Sequence, residues 1–198
     1  MKHRNETKNA KDRPGAETIM PRLFVGIEIP EAICQDLIAL QPAAAPDVAP
    51  TPPALMHVTL HFVGEVTEAI FTNLKERLGE ITLPAFELPI TGVGCFPPDD
   101  RPGFLWARVE KSSSLVALRN AVGQILTEQG IELESRAYCP HVTLARLDTK
   151  NPELIDAFLK THREFRTLFV VDCFSLYASE RTDDGPIYTK VAEFSLIK

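Results

Sequence analysis

The chain has 198 residues, 44% of them hydrophobic and 24% charged, and a formal net charge of −6. That is the balance of a globular protein, long enough for one generous domain or two small lobes on a shared core. It has no run of the roughly 18–20 apolar residues that a membrane span requires, and its polar first 20 residues lack the apolar core of a secretory signal, so a cytoplasmic protein without membrane contact is expected.

The first 19 residues carry five basic and three acidic side chains, which leaves −8 on the remainder. An acidic body argues against tight, non-specific binding of long nucleic acid, which depends on many phosphate contacts. One nucleotide or one RNA end can still be held by a local basic pocket. Residues 1–20 have almost nothing to bury and read as a disordered tail, with 21–198 as one bilobal domain. Cys34, Cys95, Cys139 and Cys173 form no CxxC pair and no zinc-finger spacing, and read as small core-filling residues.

In chain order, Arg22 to Ile29 is rich in β-formers between two prolines and reads as a strand. Pro30-Glu31 opens a helix with Ile33, Leu37, Ile38 and Leu40 on its buried stripe. The proline- and alanine-rich stretch 42–53 reads as a loop within the fold. Met56 to Val63 alternates as a strand does. Thr67 is a candidate N-cap for a helix over 68–79. Strands are expected over 86–93 and 103–109 with a proline-rich turn between them. A helix follows over 115–129, capped within Ser112 to Ser114 and stopped by Gly130. A strand over 140–147, a short helix begun by Asn151-Pro152, and strands near 168–178 and 187–196 complete the chain. Helices interspersed among many short strands predict an α+β fold with mainly antiparallel sheets in two lobes.

The tetrapeptide His-Val-Thr-Leu occurs at His57 to Leu60 and again at His141 to Leu144. Each copy lies in a predicted strand, where side chains at i and i+2 share a face. His57 and Thr59 therefore point together, as do His141 and Thr143, while the valines and leucines turn to the core. Two imidazoles and two hydroxyls at one cleft suit phosphodiester hydrolysis without a metal or other cofactor. One imidazole takes a proton from water and the other protonates the leaving oxygen. The hydroxyls donate to the phosphate oxygens on which charge builds.

HVTLHFVGEV and YCPHVTLARL resemble the two signature strands of the two-histidine phosphoesterases, and within them the RNA 2′,3′-cyclic phosphodiesterases, formerly called 2′-5′ RNA ligases. Pro21 to Ile27 resembles the family's first strand. Gly94-Cys-Phe-Pro-Pro with Arg101-Pro102 and Leu105-Trp106-Ala107 resembles its central hairpin, and Phe174 to Ser179 with Tyr188 its closing strands. The resemblance implies a bilobal fold with the motifs facing each other across a central cleft around a pseudo-twofold. It also implies hydrolysis of an RNA terminal 2′,3′-cyclic phosphate to a 2′-phosphomonoester, with His57 as proton donor, His141 as proton acceptor, and Thr59 and Thr143 on the phosphate. RNA ends or cyclic nucleotides are the expected substrates, and a monomer suffices for such a site.

Other candidates are weaker. His61 follows His57 by four, but in a strand the two lie about 13 Å apart and cannot share one ion; His61 is expected at the outer end of the cleft. Arg146 points away from the cleft on strand parity unless the strand bulges, although the resemblance places an arginine near the site; a phosphate-binding role and a surface ion pair stand level. Tyr138 is a candidate for stacking a base, with core packing as its other reading, and Trp106 reads as core. The same acid–base pair would serve ligation, the reverse reaction. A catalytically silent RNA- or nucleotide-binding module is the alternative from another class.

Overall fold

The computed structural model describes residues 22–99, 102–183 and 185–198. The expected tail at 1–20, Pro21 and Arg101 lie outside the described residues. Nine strands and four α-helices are assigned within them, in the order β1 (Arg22–Glu28), α1 (Glu31–Ile38), β2 (Val48–Pro50), β3 (His57–Gly64), α2 (Glu68–Gly79), β4 (Phe86–Phe96), β5 (Gly103–Val109), α3 (Ser113–Glu128), β6 (His141–Leu147), α4 (Pro152–His162), β7 (Arg166–Val171), β8 (Cys173–Thr182) and β9 (Gly185–Ser195). No helix among the described residues is long and apolar enough to cross a membrane.

The helices begin and end for local reasons. Thr67, Ser112 and Asn151 each accept a hydrogen bond from the backbone N–H three residues on, at 3.4, 3.2 and 3.0 Å, so three helices open on a side-chain cap. Leu74 and Leu78 bury one side of α2; Leu115, Leu118, Val122 and Leu126 bury one side of α3. α3 stops at a left-handed Gly130 with φ +75°. There the N–H groups of Gly130 and Ile131 turn back to the carbonyls of Thr127 and Leu126, which satisfies carbonyls the helix leaves open.

Two antiparallel sheets result, one in the order β3-β1-β8-β9 and the other β2-β6-β5-β4-β7. Leaving out the short edge strand β2, the orders correspond strand for strand: β3 with β6, β1 with β5, β8 with β4, β9 with β7. That is a pseudo-twofold in the chain path. β4 follows the first motif's helix yet pairs with β5, and β8 follows the second motif's helix yet pairs with β1. The first half thus lends β2 and β4 to one sheet and the second half lends β8 and β9 to the other, so the lobes are interlocked.

Two sequence expectations change here. The single strand over 168–178 is two strands in different sheets, divided at Asp172. A continuous β-rich run carries no local mark of the point where it leaves one sheet for the other. The loop at 42–53 contains β2, paired with β6 from Val48↔Leu147 to Pro50↔Ala145, followed by a 3-10 turn over Pro53–Leu55. Proline is admissible in β2 because the strand is at an edge.

Candidate active site

Both motif strands carry the same β-bulge. Against β1, Thr59 pairs with Gly26 and His61 with Val25, so Leu60 is an extra residue; against β5, Thr143 pairs with Trp106 and Ala145 with Leu105, so Leu144 is extra. One inserted residue reverses the facing of everything after it. Before the bulge, His57, Thr59, His141 and Thr143 are half-buried while Val58, Leu60, Val142 and Leu144 are buried. Beyond it, strand parity no longer applies.

The bulge corrects the placement of His61. The ring does not line the outer end of the cleft: it is 5% exposed, on the core side of β3, with Nε2 3.0 Å from the carbonyl of Arg119 in α3. α3 has a glycine at that contact; a Cβ on Gly123 would lie 2.9 Å from the same nitrogen. The bulge has the opposite effect on Arg146, which simple parity sent away from the cleft. Arg146 pairs with Phe104, two residues from Trp106 on β5, and so shares a face with Thr143. Its guanidinium is half exposed and lies 3.0 Å from the Asp148 carboxylate.

The imidazoles are held identically. Nδ1 of His57 is 2.8 Å from the carbonyl of Leu55, and Nδ1 of His141 is 2.8 Å from the carbonyl of Cys139. A carbonyl only accepts, so each Nδ1 carries the proton and each Nε2 is left as the acceptor nitrogen. On His57 that nitrogen is 3.0 Å from the Thr59 hydroxyl. Nε2 of His141 has no hydrogen-bond partner among the described residues, so its lone pair is open to a water or substrate oxygen.

The proline-rich segment serves both motifs. Leu55, whose carbonyl orients His57, closes its 3-10 turn. A bulge leaves backbone groups outside the ladder, and the carbonyl of Leu144 is taken up by the Thr51 N–H and the Gln41 side chain, both at 2.8 Å. The carbonyl of Thr59, at the other bulge, accepts from the Tyr138 hydroxyl at 3.1 Å. Tyr138 has the Arg119 guanidinium over its ring at 4.3 Å; that face is therefore covered by a protein cation rather than open to a base.

Aromatic rings floor both halves. Phe24 lies 4.7 Å from the His57 ring between centroids, stacks on Tyr177 at 4.9 Å and meets Tyr188 edge-on at 4.9 Å. On the other side Phe96 and Trp106 lie 5.2 and 5.8 Å from the His141 ring. Trp106 is buried, as its sequence suggested, but it also supports a motif histidine. Its indole lies flat over Gly94. The individual roles of Phe24, Phe96 and Tyr177 carried no sequence signal, because they reach the histidines across strands and not along one. Cys139 departs from the core-filling expectation: it is exposed, two residues before His141.

Burial governs the protonation of the pair. Desolvation pushes the His57 imidazole down to about 4, against the stabilising Leu55 carbonyl and with a further lowering from His141; desolvation lowers His141 as well. An unfolded chain protonates histidine near 6.5. Between pH 6.5 and about 4 the unfolded state therefore binds the proton that folded His57 refuses, and stability falls as pH falls through that window. His57→Gln is expected to flatten part of this slope in urea unfolding measured at pH 7 and pH 4.5. A slope unchanged by the substitution would mean that His57 titrates normally in the fold.

Residues 29–183 match the family model described as the 2′-5′ RNA ligase superfamily. The RNA 2′,3′-cyclic phosphodiesterase of Archaeoglobus fulgidus is 32% identical over 175 residues, which span 87% of this chain and 99% of the relative. The enzyme of the same name from Aeropyrum pernix is 37% identical over 69% of this chain and 80% of its own. Among solved structures, Escherichia coli LigT in apo form superposes with a TM-score of 0.75 at 24% identity, covering 91% of this chain and 100% of that one. TT0787 of Thermus thermophilus gives a TM-score of 0.71 at 26% identity, covering 88% and 97%.

Proposed function

The chain belongs to the 2′-5′ RNA ligase superfamily, and from that premise we propose that it hydrolyses RNA terminal 2′,3′-cyclic phosphates to 2′-phosphomonoesters. The observation that carries this reading is the matched anchoring of two imidazoles, each with Nδ1–H tied to the carbonyl two residues back and Nε2 left for chemistry.

In the proposed reaction His141, whose Nε2 is open, takes a proton from water as its oxygen attacks phosphorus. His57 protonates the leaving O3′, and the phosphate stays on O2′. Thr59 and Thr143 donate to the non-bridging oxygens. Desolvation keeps both rings neutral at pH 7, whereas a proton donor must be charged. The substrate supplies the difference: a phosphate anion between the rings favours the imidazolium of His57 once water is displaced. These residues supply both proton transfers and the anion contacts, so activity without an added metal ion is part of the proposal. RNA ends or cyclic nucleotides are the substrates, and a monomer in the cytoplasm suffices. Ligation would use the same pair in reverse, and the high concentration of water favours hydrolysis.

Incubation with a 2′,3′-cyclic nucleotide in the presence of EDTA, with products separated by chromatography, tests the proposal. A 2′-phosphate at an undiminished rate is expected. A 3′-phosphate as main product would reverse the two roles or the bound orientation; loss of turnover in EDTA with recovery on a divalent ion would overturn the two-histidine chemistry.

A further inference from the structure

The two motifs are identical in four letters, but their neighbours are not. Directly across the ladder from His57 stands Glu28 of β1; directly across from His141, at the equivalent position of β5, stands Arg108. Cross-strand partners have side chains on the same face, with Cβ atoms about 5 Å apart. The pseudo-twofold thus relates a carboxylate beside one imidazole to a guanidinium beside the other.

Each charge has a different surrounding. Glu28 is bonded to Lys190 at 2.5 Å, which is also bonded to Glu193 at 2.7 Å, so the group beside His57 sums to one negative charge. Arg108 is exposed and has no carboxylate within ion-pair distance among the described residues. Its guanidinium lies 5.9 Å from the Trp106 ring, which itself lies 5.8 Å from His141. A cation–π contact of that kind holds an exposed cation loosely over one face. A cation with no carboxylate partner among the described residues therefore stands on the His141 side, and a net anion on the His57 side.

We propose that Arg108 receives the phosphodiester on the 5′ side of the terminal nucleotide, and that its opposition to Glu28 fixes the direction in which RNA enters the cleft. This rests on the cyclic-phosphate reading above and extends it. An RNA end carries a second anion one nucleotide from the reacting phosphorus. Placed toward Arg108 it gains a charge-assisted hydrogen bond; placed toward Glu28 it meets like charge. The orientation of the terminal ribose, and with it the ring oxygen that faces His57, is then set by these two side chains and not by the motifs. Arg108 acts as a positioning residue, with no part in the proton transfers.

The test compares a diadenylate ending in a 2′,3′-cyclic phosphate with adenosine 2′,3′-cyclic monophosphate bearing a free 5′-hydroxyl. Only the first has the extra phosphodiester. In Arg108→Gln the ratio of kcat/KM for the dinucleotide to that for the mononucleotide is expected to fall about tenfold, through KM, the scale of a hydrogen bond to a charged group. Arg108→Lys is expected to keep most of the ratio. The salt dependence of the dinucleotide KM should lose the share of one phosphate contact, about 0.7 in the log–log slope. An unchanged ratio in Arg108→Gln, whether both rates hold or both fall together, overturns the inference while leaving the cyclic-phosphate reading intact. A native protein inactive on both substrates overturns that reading and the inference with it.

Discussion

Alanine at either motif histidine is expected to lower turnover of a 2′,3′-cyclic nucleotide by about 10² to 10⁴, the usual contribution of a general acid or base. The fold should survive, because the strand cores lie in other side chains: Val58, Leu60, Val142 and Leu144 are all 2% exposed or less. The two variants should be distinguishable by pH. His141→Ala removes the group that must be neutral, so the acidic limb of the kcat profile, which reports the substrate complex, should disappear. His57→Ala removes the group that must be protonated, so the alkaline limb should disappear. The double variant should cost little more than the worse single one, since the pair acts as a unit. Turnover within a factor of two of the native protein in either variant would exclude that histidine from the chemistry.

Gly94→Ala is the second large effect, and it acts through packing. A Cβ at this position would lie 2.1, 2.2 and 2.5 Å from three atoms of the Trp106 indole. No side chain tolerates such distances, so the indole must leave. It is only 7% exposed and is packed against Phe96 at 5.1 Å, so it has no free volume to enter. Overpacking of this kind costs about 1–3 kcal/mol, and a chain of this size loses about 2–4 °C of Tm per kcal/mol. The same ring backs His141, and a misplacement of about 1 Å can cost about 10² in rate. Thermal unfolding and steady-state kinetics should therefore both respond. Adding Trp106→Leu to Gly94→Ala should recover much of the Tm, a coupling that a double-mutant cycle measures directly. A Gly94→Ala protein with native Tm and native turnover would mean that the indole does not lie on this glycine.

Much of the framework was legible in the residues because it depends on short-range physics. Thr67, Ser112 and Asn151 announce their helices by chemistry within four residues, and the structure uses all three as caps. Gly130 ends α3 for the same local reason. The alternation in each motif sends histidine and threonine one way and valine and leucine the other, because a strand has a period of two. That rule served as far as Thr59 and Thr143 and then misplaced His61, since the extra residue at Leu60 inverts the parity. Neither Leu60 nor Leu144 differs from an ordinary strand leucine in sequence. The bulges are set by the pairing with β1 and β5, which lie far away in the chain.

The sequence by itself therefore determined the class of fold, the two motif strands and the shared facing of histidine and threonine in each, all of which rest on periodicity and composition within a few residues. The tertiary structure alone decided that the run 168–178 divides at Asp172 between two sheets and that the proline-rich segment anchors both motifs. It also decided that Arg108 and Glu28 stand at equivalent positions beside the two histidines. Each of these depends on which strands pair and in what register. Register is a property of two distant segments at once, fixed by the burial of the sheet faces against a common core, and no window along a single segment contains it.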